Sequence, residues 1–192
     1  QVGSSLPVSQ KVYVNGVEET NLAVTIDGSR QKNKLFHHNT TTLIDPDLLK
    51  AVQVNPGVAP ADAGPGALGG SIAYETKDVA DLLEPGDTFG GIAGTEYNTN
   101  GGTLSNDLTL FGRQSGFEAL GYFKLARGGE FEDGDGTQVV GSETDFVSGL
   151  GKLAYQHGSG YRAELSYENV EDDGDRPYRA NFISTDSGRP TA

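Results

Sequence analysis

The sequence predicts an α+β unit, a small mixed sheet with short helices, followed by antiparallel β-hairpins of a partial transmembrane β-barrel. Three observations predict it. Up to about residue 83, short β-branched runs are interleaved with one helix start and a glycine-rich loop. After Asp87, apolar and polar residues alternate at period 2 in run after run. The connections between those runs are tight at one end and long and acidic at the other. The expected division is residues 1–83 and 84–192.

In the first part, Val12 to Val14, Ala23 to Ile26, Val52 to Val54 and Ser71 to Tyr74 read as short strands. Asp45-Pro46 reads as a helix start running toward Val52. Asp45 is its N-cap, Pro46 takes the first helical position, and Lys50 lies near its end on the favourable side of the dipole. The loop Ala63 to Ser71 is built of small residues and enters the last of these strands.

In the second part, Tyr161, Ala163, Leu165 and Tyr167 alternate with Arg162, Glu164, Ser166 and Glu168. Phe117, Ala119, Gly121, Phe123 and Leu125 oppose Glu118, Leu120, Tyr122, Lys124 and Ala126, and Val147 to Tyr155 repeat the scheme. Phe89 to Tyr97 and Leu108 to Gly112 repeat it more weakly. A water-soluble sandwich gives the same alternation and is the commoner source of it, so the turns have to discriminate. Gln114-Ser115-Gly116 and His157 to Gly160 are tight, whereas Gly128 to Gly141 and the segment beginning Glu171-Asp172-Asp173 are long and acidic. Short turns on one side and long loops on the other favour a barrel, although the loop Asn98 to Gly102 is short.

Composition narrows the function. The chain has 192 residues, 28 of them glycine, with no Cys, Met or Trp, which excludes a disulfide scaffold and a thiolate metal site. A net charge of -13 opposes a nucleic-acid partner, whose phosphates it would repel. No run approaches the roughly 20 apolar residues of a membrane-spanning helix, but barrel strands need only about 10 and alternate. The opening QVGSSLPVSQ has neither the basic start nor the apolar block of a secretory leader. Either the protein is cytoplasmic, or its true N-terminus has been removed or lies outside this sequence.

The chemical motifs are sparse. Gly64-x-Gly66-x-x-Gly69 has a dinucleotide-loop spacing but runs into a strand, where a pyrophosphate cradle needs a helix N-terminus. Asp133-Gly134-Asp135-Gly136 lacks the turn glycine and closing glutamate of a calcium loop, so both acidic stretches read as solvated hairpin loops. His37-His38 cannot alone make a four-ligand zinc site, whereas neutral imidazole suits haem iron. By the bare residues alone, Phe36-His37-His38-Asn39 reads as a polar surface loop with no ligand. No nucleophile, base and acid can be assembled into a catalytic set, and no enzyme is expected.

Val24-Thr25-Ile26-Asp27-Gly28, the run from Ile44 to Val54, and Ala63-Gly64-Pro65-Gly66-Ala67-Leu68-Gly69-Gly70-Ser71-Ile72 resemble the plug domain of TonB-dependent outer-membrane receptors, over Lys11 to about Leu83. The remainder resembles the first five or so barrel strands, ending at Arg176 to Phe182. The chain departs from the family at Asn15-Gly16, where Arg-Gly is common, and at Pro56-Gly57, where Gly-Pro is common. Such barrels have about 22 strands around a plugged lumen, so the chain reads as a fragment without an identifiable N-terminal TonB-coupling box. The resemblance implies energised uptake of an iron complex across a Gram-negative outer membrane, with TonB, the iron complex and outer-membrane lipid as partners. It implies no permanent cofactor. Thr76 to Leu83 and Phe36-His37-His38-Asn39 look like haem-uptake members, placing haem ahead of ferric siderophore as cargo. By the same resemblance His37 is the axial-ligand candidate, His38 its reserve, and Phe36 and Asn39 flank them on the plug-apex loop. Asp27, Gly28, Gly66, Gly69 and Gly70 are the plug's structural motif. A second reading is a secreted, acidic, β-rich adhesion module without transport activity.

Overall fold

The computed structural model describes residues 11–32, 42–58, 63–64 and 66–174. It forms two compact units, one reaching Thr76 and the other starting at Lys77.

The first unit opens with a hairpin, β1 (Tyr13–Val14) and β2 (Val17–Glu18), turned at Asn15-Gly16. A 3₁₀ turn at Glu19–Asn21 leads to β3 (Ala23–Ile26), which Asp27 and Gly28 turn into β4 (Ser29–Arg30). Both turn residues have positive φ, 45° and 76°, as the type I′ turn of a two-residue hairpin requires. Further on come β5 (Leu49–Pro56) and β6 (Gly70–Thr76), and the sheet order is β4-β3-β6-β5. β3 and β6 are parallel and the other pairs antiparallel. The parallel pair is the buried centre. Leu22, Val24, Ile26, Ile72 and Tyr74 form the core, with Val12, Val14, Val17, Ile44 and Leu49 packed on it. Burial pushes the Tyr74 phenol above its usual range, and the charge of Glu19 adds to the shift.

The helix expected from Asp45 is only a 3₁₀ turn, Pro46–Leu48. Its start is as expected, with the Asp45 carboxylate accepting from the Asp47 N–H at 3.1 Å and Pro46 following. Its continuation differs, because from Leu49 the chain is a strand of 8 residues paired with β6. Ala51-Val52-Gln53-Val54 gain a full ladder there, and the weak helical preference of the preceding turn cannot compete. Lys50 is not at a helix end but at a register shift in that ladder.

The second unit begins with the short helix α1 (Val79–Leu82), where the Asp81 carboxylate accepts from the Asp78 N–H at 2.7 Å. An antiparallel meander follows: β7 (Phe89–Asn98), β8 (Thr103–Gln114), β9 (Phe117–Gly128), β10 (Thr144–Gln156) and β11 (Arg162–Asp172). These five strands form an open sheet among the described residues. β8 and β9 meet through Ser115-Gly116 and β10 and β11 through a turn at His157, both at the same end of the sheet. The connections 99–102 and 129–143 lie at the other end. Glu171 and Asp172, expected in the acidic loop, instead extend β11 opposite Val147 and Phe146. The ladder with β10 holds them extended.

Register aligns Phe89, Gly112, Ala119, Leu153 and Leu165 in one row, and Gly91, Leu110, Gly121, Gly151 and Tyr167 in the next. On this face Phe89, Leu108, Leu110, Phe117, Phe123, Leu153, Leu165 and Tyr167 are all exposed. The opposite face carries buried Phe111, Leu120, Tyr122 and Leu150 together with buried Ser148 and Lys152. An exposed face richer in large apolar side chains than the buried one reverses the arrangement of a water-soluble sandwich and suits hydrocarbon outside. Phe117 and Tyr155 pack with tilted rings at the short-turn end, centroids 4.6 Å apart, and Tyr97 stands at the other, the places where interfacial aromatics belong. β9 has 12 residues; at about 3.4 Å each and a tilt of about 45°, it rises roughly 30 Å, a bilayer's hydrocarbon thickness.

Candidate functional site

The chain has one region of chemical interest outside the described residues and two within them. Phe36, His37, His38 and Asn39 all fall in the undescribed stretch 33–41. Its two ends belong to the first unit: the Gln31 N–H donates to the Val24 carbonyl at 2.9 Å, and Ile44 packs on the core. The described residues just before that stretch follow β4, an edge strand of the sheet.

The structural motif is fully described. Asp27, held at positive φ in the β3–β4 turn, accepts from the Thr76 N–H at 2.8 Å and the Thr76 hydroxyl at 2.6 Å. Its own N–H donates to the Tyr74 carbonyl at 3.0 Å. Gly28 completes that turn. The clasp joins residues far apart in the chain and closes the end of β6, where Thr76 is wholly buried. At the other end of β6, Gly70 has φ of 129°, and a Cβ there would overlap the Asn55 carbonyl oxygen. A Cβ on Gly69 would overlap Val17 of the first hairpin. The Gly69 N–H donates to the Asn21 carbonyl and its carbonyl accepts from the Gly57 N–H, both at 3.0 Å. Gly66, also at positive φ, lies in the approach to this crossing. The residues after Gly69 form β6 rather than a helix, so the glycine spacing makes a backbone crossing and not a pyrophosphate cradle.

The second region was not anticipated from the sequence. On the less exposed face of the meander, five side chains form a charged chain. The Arg162 guanidinium donates to Glu118 at 2.6 Å and to Glu164 at 2.9 Å. Lys152 pairs with Asp78 at 2.9 Å and stands 3.6 Å from Glu164. Lys152 is only 5% exposed, so this ammonium is stable there because carboxylates flank it. Close by, Arg113 donates to the backbone carbonyls of Asp87 at 3.0 Å and Glu84 at 2.9 Å. The polar phase of the alternation held the signal, since Glu118, Arg162 and Glu164 all fall on it.

At the opposite end, the loop 129–143 is braced by Asn100 of the neighbouring connection and by its own polar groups. The Asn100 amide donates to the Glu132 carbonyl at 2.8 Å and accepts from the Glu132 N–H at 2.7 Å, as a strand neighbour would. The Asp133 carboxylate accepts from the N–H groups of Asp135 and Thr137 at 3.0 and 2.9 Å, the Asx-turn role of an acidic loop. His157 Nδ1 accepts from the Ser159 N–H at 3.2 Å and meets its hydroxyl at 2.6 Å, a local turn contact.

A mixed four-stranded sheet followed by a meander of bilayer-length strands with its apolar face outward defines a plug-and-barrel protein. Comparison with known proteins agrees. The family described as TonB-dependent Receptor Plug Domain matches residues 2–71. The Heme transporter BhuA of Brucella ovis is 40% identical over 174 residues, 91% of this chain and 26% of its own length. The Hemin receptor of Yersinia pestis is 32% identical over 142 residues, 74% of this chain and 21% of its own. Among solved structures, the apoprotein form of the FrpB iron transporter from Neisseria meningitidis (F5-1 variant) superposes with a TM-score of 0.81 at 26% identity, covering 92% of this chain and 28% of that one. The chain belongs to the TonB-dependent receptors, as a plug domain followed by barrel strands. It spans about a quarter of the length of the curated relatives it matches.

Proposed function

We propose that the protein containing this chain is a TonB-energised importer in the outer membrane of a Gram-negative bacterium, and that its cargo is an iron complex, haem ahead of ferric siderophore. The observation that carries this reading is the 40% identity to a protein named as a heme transporter, which runs through both units and 91% of the chain. The outward apolar face of the meander supports a membrane setting. No observation favours the secreted adhesion module. The importer performs no covalent chemistry. Its ligand binds from outside at the plug apex and the long loops, and binding shifts the population of plug states that TonB acts on from within.

Within this reading, His37 supplies the axial imidazole to haem iron, with His38 in reserve and Phe36 and Asn39 as its flanks. The test is a Soret titration of the complete receptor that carries this chain. His37→Ala is expected to shift the Soret band and weaken haem affinity about tenfold, roughly 1.4 kcal/mol. His38→Ala is expected to leave the band in place. An unchanged spectrum and affinity in both variants removes the histidine assignment.

A further inference from the structure

Thr76 and Asp78, two residues apart, are held by different units. Thr76 is clasped through its N–H and hydroxyl by Asp27, at 2.8 and 2.6 Å, inside the first unit. Asp78 is paired with the buried Lys152 at 2.9 Å inside the second. Each clasp is backed up. The Asp27 N–H is itself bonded to Tyr74, and Lys152 is steadied by Glu164, which Arg162 ties to Glu118. Beyond Asp78, Arg113 grips the carbonyls of Glu84 and Asp87, and its N–H donates to Thr88 at 2.8 Å. The peptide from Val79 to Thr88 is thus attached repeatedly to the meander, and the attachments change owner across a single residue, Lys77.

We propose that this pair of clasps makes Lys77 the parting point of the chain, so that strain applied to the plug strips residues up to Thr76 while Asp78 to Thr88 remain fixed to the barrel wall. The two clasps resist differently. The Asp27–Thr76 clasp is the last contact of a strand, so it is loaded one ladder bond at a time as β6 peels from its neighbours. The Lys152 cluster joins residues on β9, β10 and β11, so force on Asp78 is shared by several strands at once. The wall anchor is therefore the later to yield. This inference concerns where the chain gives way and is independent of the cargo.

The test is single-molecule pulling from the N-terminal side of the complete receptor in a lipid bilayer. The last unfolding step before the barrel resists is expected to end at Thr76. In Asp78→Asn/Lys152→Met, which removes both charges together, the end point is expected to move to Glu84, where Arg113 holds next. That adds about eight residues, about 2.9 nm at roughly 3.6 Å per residue. Adding Arg113→Ala is expected to move it on to the start of β7. A wild-type end point beyond Leu83, or an end point unmoved by the double variant, overturns the proposal. Should the double variant assemble poorly, amide exchange in the wild-type receptor decides the matter. Slower exchange at Leu83, whose N–H donates to the Val79 carbonyl, than at Tyr74 under mild denaturant supports the proposal, and the reverse order overturns it.

Discussion

Gly70→Ala is expected to prevent the plug from reaching its native sheet. Gly70 has φ of 129°, a region that residues with a Cβ rarely enter, and the added carbon would overlap the Asn55 carbonyl on the neighbouring strand. A backbone atom cannot rotate aside as a side chain can, so β5 or β6 has to shift along the Asn55–Ser71 and Pro56–Gly70 pairing. Conformational strain of about 1–3 kcal/mol and overpacking of about 1–3 kcal/mol together approach 4 kcal/mol, a large share of a small domain's stability. Amide exchange of β3 and β6 in the complete receptor measures it. Protection in the plug is expected to collapse while that of β8 to β10 persists. Retained protection at Val24 and Ile72 would show that the crossing tolerates a side chain.

Asp27→Ala is expected to cost about 3 kcal/mol of plug stability. The substitution removes a carboxylate that receives two hydrogen bonds from a wholly buried Thr76 and leaves that N–H and hydroxyl unsatisfied. It also places alanine at φ of 45°, where Asp and Asn are tolerated and alanine is strained. Asp27→Asn separates the two contributions, since it keeps the backbone preference and one carbonyl acceptor. Its expected cost is about half as large. Urea unfolding monitored in the plug tests the pair, and equal losses in both variants would assign the effect to charge alone.

How far these features were readable depends on whether their cause is local. β3 was expected at Ala23–Ile26 and is found there, because four β-branched or small apolar residues before Asp-Gly leave little choice. The wall strands were legible for the same reason, since alternation in β9 and β11 is a property of each strand by itself. At Asp45 the sequence points to a helix because its cap and proline are local and real, whereas the β5–β6 ladder that claims Leu49 to Pro56 is not visible from either strand alone. The parallel β3–β6 pairing has the same character. Asn15-Gly16 between Val14 and Val17 is itself a local hairpin signal, and the β1–β2 turn forms there. The charged chain was half legible. Its members sit on the polar phase, but a partnership such as Arg162 with Glu118, 44 residues apart, comes only from the stacking of β9, β10 and β11.

We propose above that the protein containing this chain imports an iron complex, haem ahead of ferric siderophore. Growth on haem as sole iron source tests it most directly, in a Gram-negative strain lacking other haem receptors and supplied with the complete receptor. Growth is expected to need both the receptor and TonB and to fall in His37→Ala. Growth on haem that persists without TonB, or a receptor that supports growth on a ferric siderophore but not on haem, would contradict it.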